Sequence, residues 1–295
     1  MVLPSGLESA FKARSYDTDK YSVGVVMVIG GSKNFISAPA IAALGARAGG
    51  AGLVKMALFA QEARISASIL VPEAIFPDFG EDIALPRADV YAVGMGLGLG
   101  ERVDSLVERI LNKESGRFIL DADALSALAK RRNGREGAKC VAGNDECARG
   151  CEAKEFILTP HEGEAARLLG VERAEISKDR RAAALEIAKS YGAICVLKGP
   201  HTLVAAPDSR IYENDTGSPA MSLGGMGDLL SGLIASRWAW MKDGFLASVG
   251  GVWLHGKASD ELLKAHEDPS IVNTAKFIGA LRAQIEISQN QQSKF

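Results

Sequence analysis

One segment combines three glycines with an aspartate, Gly224-Gly-Met-Gly-Asp228, and it stands directly before a stretch of helical character. Glycines let backbone N–H groups approach an anion closely, and a helix N-terminus adds partial positive charge. The segment therefore favours a bound phosphate group. Asp228 has two interpretations: a carboxylate that complements the helix dipole, or a general base that takes the proton of a hydroxyl attacking the phosphate.

A second candidate, Lys198-Gly-Pro-His-Thr202, follows the apolar run 193–197, which we predict to be a strand. Open α/β sheets bind ligands at the carboxyl ends of their strands. Lys198 can contact a nucleotide phosphate there, and the amides of the turn can add further donors. The alternative is that Gly199-Pro200 only makes a tight turn and that Lys198 is solvated.

Two further strand ends carry candidate residues. Thr159-Pro-His-Glu-Gly-Glu164 follows a predicted strand, although His161 and its two glutamates also suit the first turn of any helix. Because three such strand ends lie in one half of the chain, we expect a shared crevice. The glycines in 94–100 lack the G-x-G-x-x-G spacing of dinucleotide sites, and form either a flat wall for an extended ligand or a plain loop.

The elements that must position these residues alternate between β-branched runs and helical stretches, which is typical of a parallel α/β sheet. Strands are predicted at 25–29, 53–58, 89–93, 117–120, 155–158 and 193–197, and an antiparallel hairpin at 202–205 and 210–212 around Pro207-Asp-Ser209. Helices are predicted with Ser37 as a cap and Pro39 in the first turn, from a Ser177 cap to Gly192, at 228–241 and 245–263, and after Asn273.

Composition limits the classes of partner. The 295 residues are 47% hydrophobic and carry a formal net charge of -2, which gives no electrostatic footprint for nucleic acid or an anionic membrane. With neither a secretory signal nor an apolar run of about twenty residues, a cytoplasmic protein is expected.

The polar stretch 130–154 is predicted to be an exposed excursion. Its Cys140, Cys147 and Cys151 lack C-x-x-C spacing, which favours surface thiols or an incidental disulfide over a zinc site.

Taken together, the motifs resemble those of the nicotinamide-nucleotide-hydrate dehydratases, relatives of ribokinase. The matching segments occur in the family's order over about 20–285: 28–32, 38–43, 47–53, 94–98, 120–125, 158–164, 196–199, 224–228 and His255-Gly256. The resemblance implies a ribokinase-like α/β fold, with a mostly parallel central sheet flanked by helices and a small antiparallel hairpin. It also implies repair of the S form of hydrated NADH or NADPH, in which a nucleoside phosphate phosphorylates the ring hydroxyl and phosphate then leaves.

The resemblance also implies roles for individual residues. Asp228 is the expected base, with Gly225 and Gly227 as an anion hole. Nucleotide contacts are expected from Lys198, Gly199, Pro200, His201, Thr202 and Gly227, and hydrated-dinucleotide contacts from Ala38, Gly96, Gly98, His161 and Asp228. Glu164 is the expected group for organising Mg²⁺ through water. Met226 and Met95 depart from the family pattern, since relatives often have Ser, Thr or Gln at the first position and Pro at the second.

Several properties stay open at this point. The residues do not separate ADP from ATP as the donor; the resemblance favours ADP, giving AMP and phosphate, and it favours a homo-oligomer. Because the first strand begins near residue 23, we expect a single domain over 1–295 without the fused epimerase domain that many family members carry.

The chief alternative function is a ribokinase-like kinase for a vitamin alcohol, which shares the G-x-G-D chemistry but leaves the phosphate on its product. A non-catalytic nucleotide sensor is another, although it has no use for Asp228 as a base.

Overall fold

The computed structural model describes residues 7, 14–80, 83–112, 115–134, 154–266, 268, 270 and 272–292. Its centre is an eight-stranded sheet in the order β2-β1-β3-β4-β5-β6-β7-β8, parallel through β6 and antiparallel from β6 to β8. The strands are β1 Val25–Gly30, β2 Leu53–Leu58, β3 Val90–Val93, β4 Gly116–Leu120, β5 Lys154–Leu158, β6 Ile194–Leu197, β7 Leu203–Ala205 and β8 Ile211–Glu213. Parallel strands bring their carboxyl ends to one edge of the sheet, where ligands bind.

Helices cover both faces of the sheet. They are α1 Lys20–Val23, α2 Ala38–Ala48, α3 Gln61–Leu70, α4 Glu101–Asn112, α5 Asp123–Gly134, α6 Glu162–Leu169, α7 Arg173–Lys178, α8 Arg180–Tyr191, α9 Met226–Met241, α10 Gly244–His266 and α11 Thr274–Gln292, with a 3-10 turn at Pro219–Met221. Side chains alternate along a strand, so Val26 and Val28 pack in the layer with α2, α9, α10 and α11, whereas Met27 and Ile29 pack in the layer with α4 to α8.

Helices α2 and α9 approach each other closely because each carries a glycine at the contact. A Cβ on Gly232 of α9 would overlap the carbonyl oxygen of Ala42, and one on Gly45 of α2 would overlap the carbonyl oxygen of Leu229. Close packing at both points fixes the first two turns of α9 against α2. Any ligand held by the first turn of α9 therefore lies next to α2.

The structure confirms every predicted strand to within one residue at each end, and it confirms the antiparallel hairpin. The prediction of Ser177 as a helix cap is wrong. Ser177 lies inside α7 and donates to Glu162, while the Asp179 side chain accepts from the Ala182 N–H and so caps α8. Two polar residues close together offered competing caps, and the carboxylate is the one that bonds the backbone.

Two other expectations need adjustment. Ser37 stands at the N-cap position of α2, but its hydroxyl pairs with Ser66 and caps no backbone N–H. Of the predicted excursion 130–154, residues 130–134 end α5 and Lys154 begins β5, so its outer limits are wrong. The remainder, with the three cysteines, lies outside the described residues.

Among the helices that are described, none combines the length and the apolar character needed to cross a bilayer.

Candidate active site

Lys198 lies at the centre of the site, where β6 ends. Its Nζ is 2.6 Å from Asp121 Oδ1 and 3.8 Å from Glu164 Oε2, so residues that follow β4, β5 and β6 meet there. Gly227 of α9 is also adjacent, since a Cβ on it would lie 3.4 Å from the same Nζ. The crevice predicted from Lys198, Glu164 and the glycine segment is therefore present.

Asp121, which directly follows β4, holds the Lys198 ammonium group in place. The residue is 1% exposed, and its carboxylate accepts from Ser231 Oγ at 2.7 Å and from the Ala122 N–H at 2.9 Å, besides pairing with Lys198. Burial favours the neutral form of both partners, but their mutual attraction outweighs it: the pKa of Asp121 lies below its usual value and that of Lys198 above it. The pair stays charged and holds the ammonium group in place.

Asp228 lies in the first turn of α9 and is mostly withdrawn from solvent. Burial raises the pKa of its carboxyl group to about 7, and the negative charge of Asp121 adds to the rise while Lys198 opposes it. A carboxylate with a pKa near the working pH is suited to take a proton and to release it again. This environment favours the base interpretation over the capping one.

The backbone that begins α9 fits an anion. Gly225 is the N-cap residue at φ 89°, in the left-handed region that glycine adopts easily, and no side chain caps the helix there. The first-turn N–H groups and the positive end of the helix dipole are thus directed to whatever lies before the helix. The Met226 side chain is buried in the core, and its lack of a hydroxyl group leaves the backbone N–H groups of the turn in place.

A cleft of about 600 Å³ opens beside this helix start. Its lining contains all six residues predicted to contact a nucleotide, namely Lys198, Gly199, Pro200, His201, Thr202 and Gly227. The opposite wall consists of residues 214–219 and His255. Burial lowers the pKa of His255 to about 4, so its ring is neutral. The volume suits a small molecule of nucleotide size.

Arg180 of α8 fixes the turn that forms one side of this cleft. Its guanidinium donates to the carbonyl oxygens of Leu197, Lys198 and Pro200. Thr202 Oγ1 adds a bond to the Gly199 carbonyl at 2.9 Å. The turn is held in one shape, and its remaining polar groups can therefore serve a ligand.

The glycine turn after β3 forms the other side of the site. Gly94, Gly96 and Gly98 all have positive φ, and Ala38 lies against Gly96, with 3.2 Å from its Cβ to the place of a Cβ on Gly96. The predicted substrate residues Ala38, Gly96 and Gly98 therefore share one surface. Asp123 Oδ2 accepts from the Gly98 N–H at 2.8 Å and attaches that surface to the turn after β4.

His161 and Glu164 cap α6 reciprocally. His161 Nδ1 accepts from the Gly163 and Glu164 N–H groups, and Glu164 Oε2 accepts from the His161 N–H at 2.8 Å. Burial and the nearby Lys198 lower the pKa of His161, whereas burial raises the pKa of Glu164. No group of three potential metal ligands occurs among the residues with described positions, so the Mg²⁺ role of Glu164 stays a prediction.

The model of the NAD(P)H-hydrate dehydratase family matches residues 26–278. The chain belongs to this family. A curated member, the ADP-dependent (S)-NAD(P)H-hydrate dehydratase of Neisseria meningitidis, is 40% identical over 85% of this chain and 81% of its own length. The chain spans about half the length of the bifunctional repair enzymes that it also matches; one of them, from Gloeobacter violaceus, is 35% identical and is covered over 51%.

Solved structures agree with this family assignment. The ADP/ATP-dependent NAD(P)H-hydrate dehydratase from Bacillus subtilis, co-crystallised with ATP and Mg²⁺, aligns with a TM-score of 0.81 at 26% identity over 96% of both chains. A ribokinase-like superfamily protein from Enterococcus faecalis aligns with a TM-score of 0.77 at 23% identity, over 96% of this chain and 95% of its own. The predicted ribokinase-like fold is confirmed.

The structure places four residues in or beside this site to which the sequence analysis assigned no role: Asp121, Asp123, Arg180 and Ser231. For the two aspartates a signal was present, because Asp121-Ala-Asp123 directly follows a predicted strand. For Arg180 and Ser231 none was, since their partners are 17 to 20 and 110 residues away in the sequence.

Proposed function

We propose that the protein dehydrates the S form of hydrated NADH and NADPH, and that it uses ADP, which leaves as AMP and phosphate. One observation carries the proposal: a carboxylate with a pKa of about 7 lies in the first turn of a helix that begins with glycines, beside a buried lysine and a nucleotide-sized cleft. Family membership supplies the substrate class.

In the first step, Asp228 takes the proton of the ring hydroxyl as that oxygen attacks the terminal phosphorus of the nucleotide. Lys198 and the N–H groups at Gly225 and Gly227 stabilise the negative charge of the phosphoryl group in transfer. The backbone amides do not need to reorganise during this step, since the α9 start is rigidly packed against α2. The ring hydroxyl group is thereby converted into a phosphate ester, and phosphate is a far better leaving group than hydroxide.

In the second step, the carbon–oxygen bond breaks and phosphate departs. The lone pair of the ring nitrogen assists, because the hydroxyl-bearing carbon is bonded to that nitrogen. The turn with Gly96 and Gly98, together with Ala38 and His161, is assigned to hold the dinucleotide while this occurs. Gly98, which is partly exposed, presents backbone without a side chain, which suits the close approach of a long ligand.

Mg²⁺ is proposed to accompany the nucleotide and to neutralise charge on its phosphates. Mg²⁺ keeps several waters and needs only one or two carboxylates from a protein. Glu164 fits this requirement, because its carboxylate is at the site: Oε2 is held by the His161 N–H, and Oε1, 3.6 Å from the neutral His161 Nε2, would be left for the hydrated ion. It is the residue assigned to orient the hydrated ion.

The function is tested by incubating the protein with Mg²⁺, hydrated NADH and either ADP or ATP. We expect reduced-nicotinamide absorbance to return with ADP, together with equal amounts of AMP and phosphate. If a phosphorylated alcohol accumulates and no NADH returns, the alternative small-molecule kinase is correct. Binding of the nucleotide with no turnover of any kind would support a sensor.

The pH dependence of that reaction is a separate prediction. Asp228 acts as a base only when ionised, and its carboxyl has a pKa of about 7. We therefore expect kcat/KM for the hydrate to fall about tenfold per pH unit below pH 7 and to level off above it. Initial rates between about pH 5 and pH 9 measure this, and a rate that stays constant down to about pH 5 would contradict the assignment.

A further inference from the structure

Dehydration of the hydrated ring, the proposed function on which this inference rests, requires two protons to leave the substrate. The hydroxyl proton goes to Asp228, whereas the second proton has no acceptor in the two steps described. Rebuilding the ring double bond requires a hydrogen to leave the carbon next to the hydroxyl-bearing one. Once the nitrogen has expelled phosphate, that carbon lies beside an iminium ion and its hydrogen is acidic enough for a carboxylate to remove.

Asp123 is placed for this second transfer. Its Oδ2 accepts from the Gly98 N–H, which puts the carboxylate directly against the surface assigned to the dinucleotide. Among the residues that the structure describes, Oδ1 has no hydrogen-bond donor, and the side chain is half buried. Burial, with a contribution from Asp121, also raises the pKa of Asp123, which strengthens it as a proton acceptor.

The backbone separates Asp123 from its neighbouring aspartate. Ala122 has φ 49°, in the left-handed region that a residue with a Cβ rarely adopts. Asp121 on one side of it pairs with Lys198, while Asp123 on the other side bonds Gly98. Backbone of this kind costs free energy, and such residues cluster at active sites and ligand-binding turns.

The other acidic and basic groups of the site have other roles. Asp121 is in a buried ion pair, and Glu164, whose Oε2 is bonded to the His161 backbone, is assigned to the hydrated Mg²⁺. His161 uses Nδ1 as a helix cap. Asp123 lies close enough to Asp228 for its negative charge to contribute to the raised pKa of Asp228. Two neighbouring carboxylates in different surroundings can divide two proton transfers between them.

We propose that Asp123 is a further catalytic residue, the base that removes the ring C–H proton. The C–O bond breaks first, phosphate leaves with that electron pair, and the nitrogen lone pair forms the C=N bond of the iminium ion. The C–H bond on the adjacent carbon then breaks, its electron pair forms the ring C=C bond, and the iminium electrons return to nitrogen. The proton goes to Asp123 Oδ1, and NADH, AMP and phosphate are the products.

Asp123→Asn tests this proposal, since an amide oxygen still accepts from the Gly98 N–H but is no base. AMP and NADH are measured separately in a single turnover with ADP and hydrated NADH. We expect AMP to form at close to the wild-type rate, and NADH to form about 10²-fold more slowly as a phosphorylated or iminium intermediate accumulates. NADH formation at the wild-type rate would overturn the proposal, because departing phosphate must then take the proton.

Two further variants separate catalysis from structure. Asp123→Ala removes both the base and the acceptor for Gly98, so it should slow NADH formation equally and also raise KM for the hydrate. Asp123→Glu retains a carboxylate and is expected to regain part of the NADH rate, which covers the case in which the asparagine variant does not fold. Equal loss of AMP and NADH in a folded Asp123→Asn protein also contradicts the proposal. If the wild-type protein forms neither product, it is the proposed function that fails.

Discussion

Asp228→Asn is expected to lower the rate of AMP and NADH formation by about 10²- to 10⁴-fold, the range attributable to a positioned general base. The amide has the size of the carboxyl group but does not take up the hydroxyl proton. Lys198 and the first-turn amides of α9 are unchanged by the substitution, so affinity for ADP should stay within a few-fold of wild type. Single-turnover assays and calorimetric titration with ADP measure the two effects.

The same variant has an internal control in its pH profile. If Asp228 is the base, the decline of the rate below about pH 7 must disappear from the residual activity. Loss of ADP binding together with activity would mean that Asp228 serves the nucleotide site instead. Activity above a tenth of the wild-type value would rule Asp228 out as the base.

Gly232→Ala is expected to lower the stability of the protein strongly, because the site has no room for a methyl group. The added Cβ would overlap the carbonyl oxygen of Ala42 in α2, and backbone atoms cannot turn aside as a side chain can. We expect a loss of about 3 kcal/mol, at the upper end of typical overpacking costs. At 2–4 °C per kcal/mol, this corresponds to a Tm lower by roughly 6–12 °C in thermal denaturation.

Gly279→Ala is the matched control for this substitution. Gly279 lies within helix α11, and a Cβ there has no heavy atom within 4 Å. Alanine is favoured over glycine inside a helix, so stability should rise by up to about 1 kcal/mol. If both alanine variants are equally stable, the close contact between α2 and α9 does not constrain the residue at position 232.

The local pattern of the chain was enough to predict the sheet. Runs such as Val25 to Ile29 are apolar without interruption because both faces of a parallel strand are buried, and each ends in a turn residue. Strand neighbours beyond the hairpin, by contrast, depend on long-range packing that no local pattern encodes. The cap of α8 was mispredicted for a related reason: Ser177 and Asp179 are both good cap residues, and tertiary contacts decide between them.

The candidate site was predictable to the extent that its residues follow strands in recognisable motifs. Lys198, Glu164 and Gly227 were expected to meet and do. Asp121, in contrast, matters through a lysine 77 residues further along the chain. Such a pair follows from the order of β4, β5 and β6 in the sheet, which becomes apparent only once the fold is known.

The cap that His161 forms on helix α6 limits what this side chain can do for a ligand. Because Nδ1 accepts backbone hydrogen bonds, the neutral ring must carry its hydrogen on Nε2. The lowered pKa of the ring disfavours a second proton. His161 is therefore fixed in one tautomer, and it offers a carbonyl or phosphate oxygen a single directed donor while having no lone pair left to accept one in return.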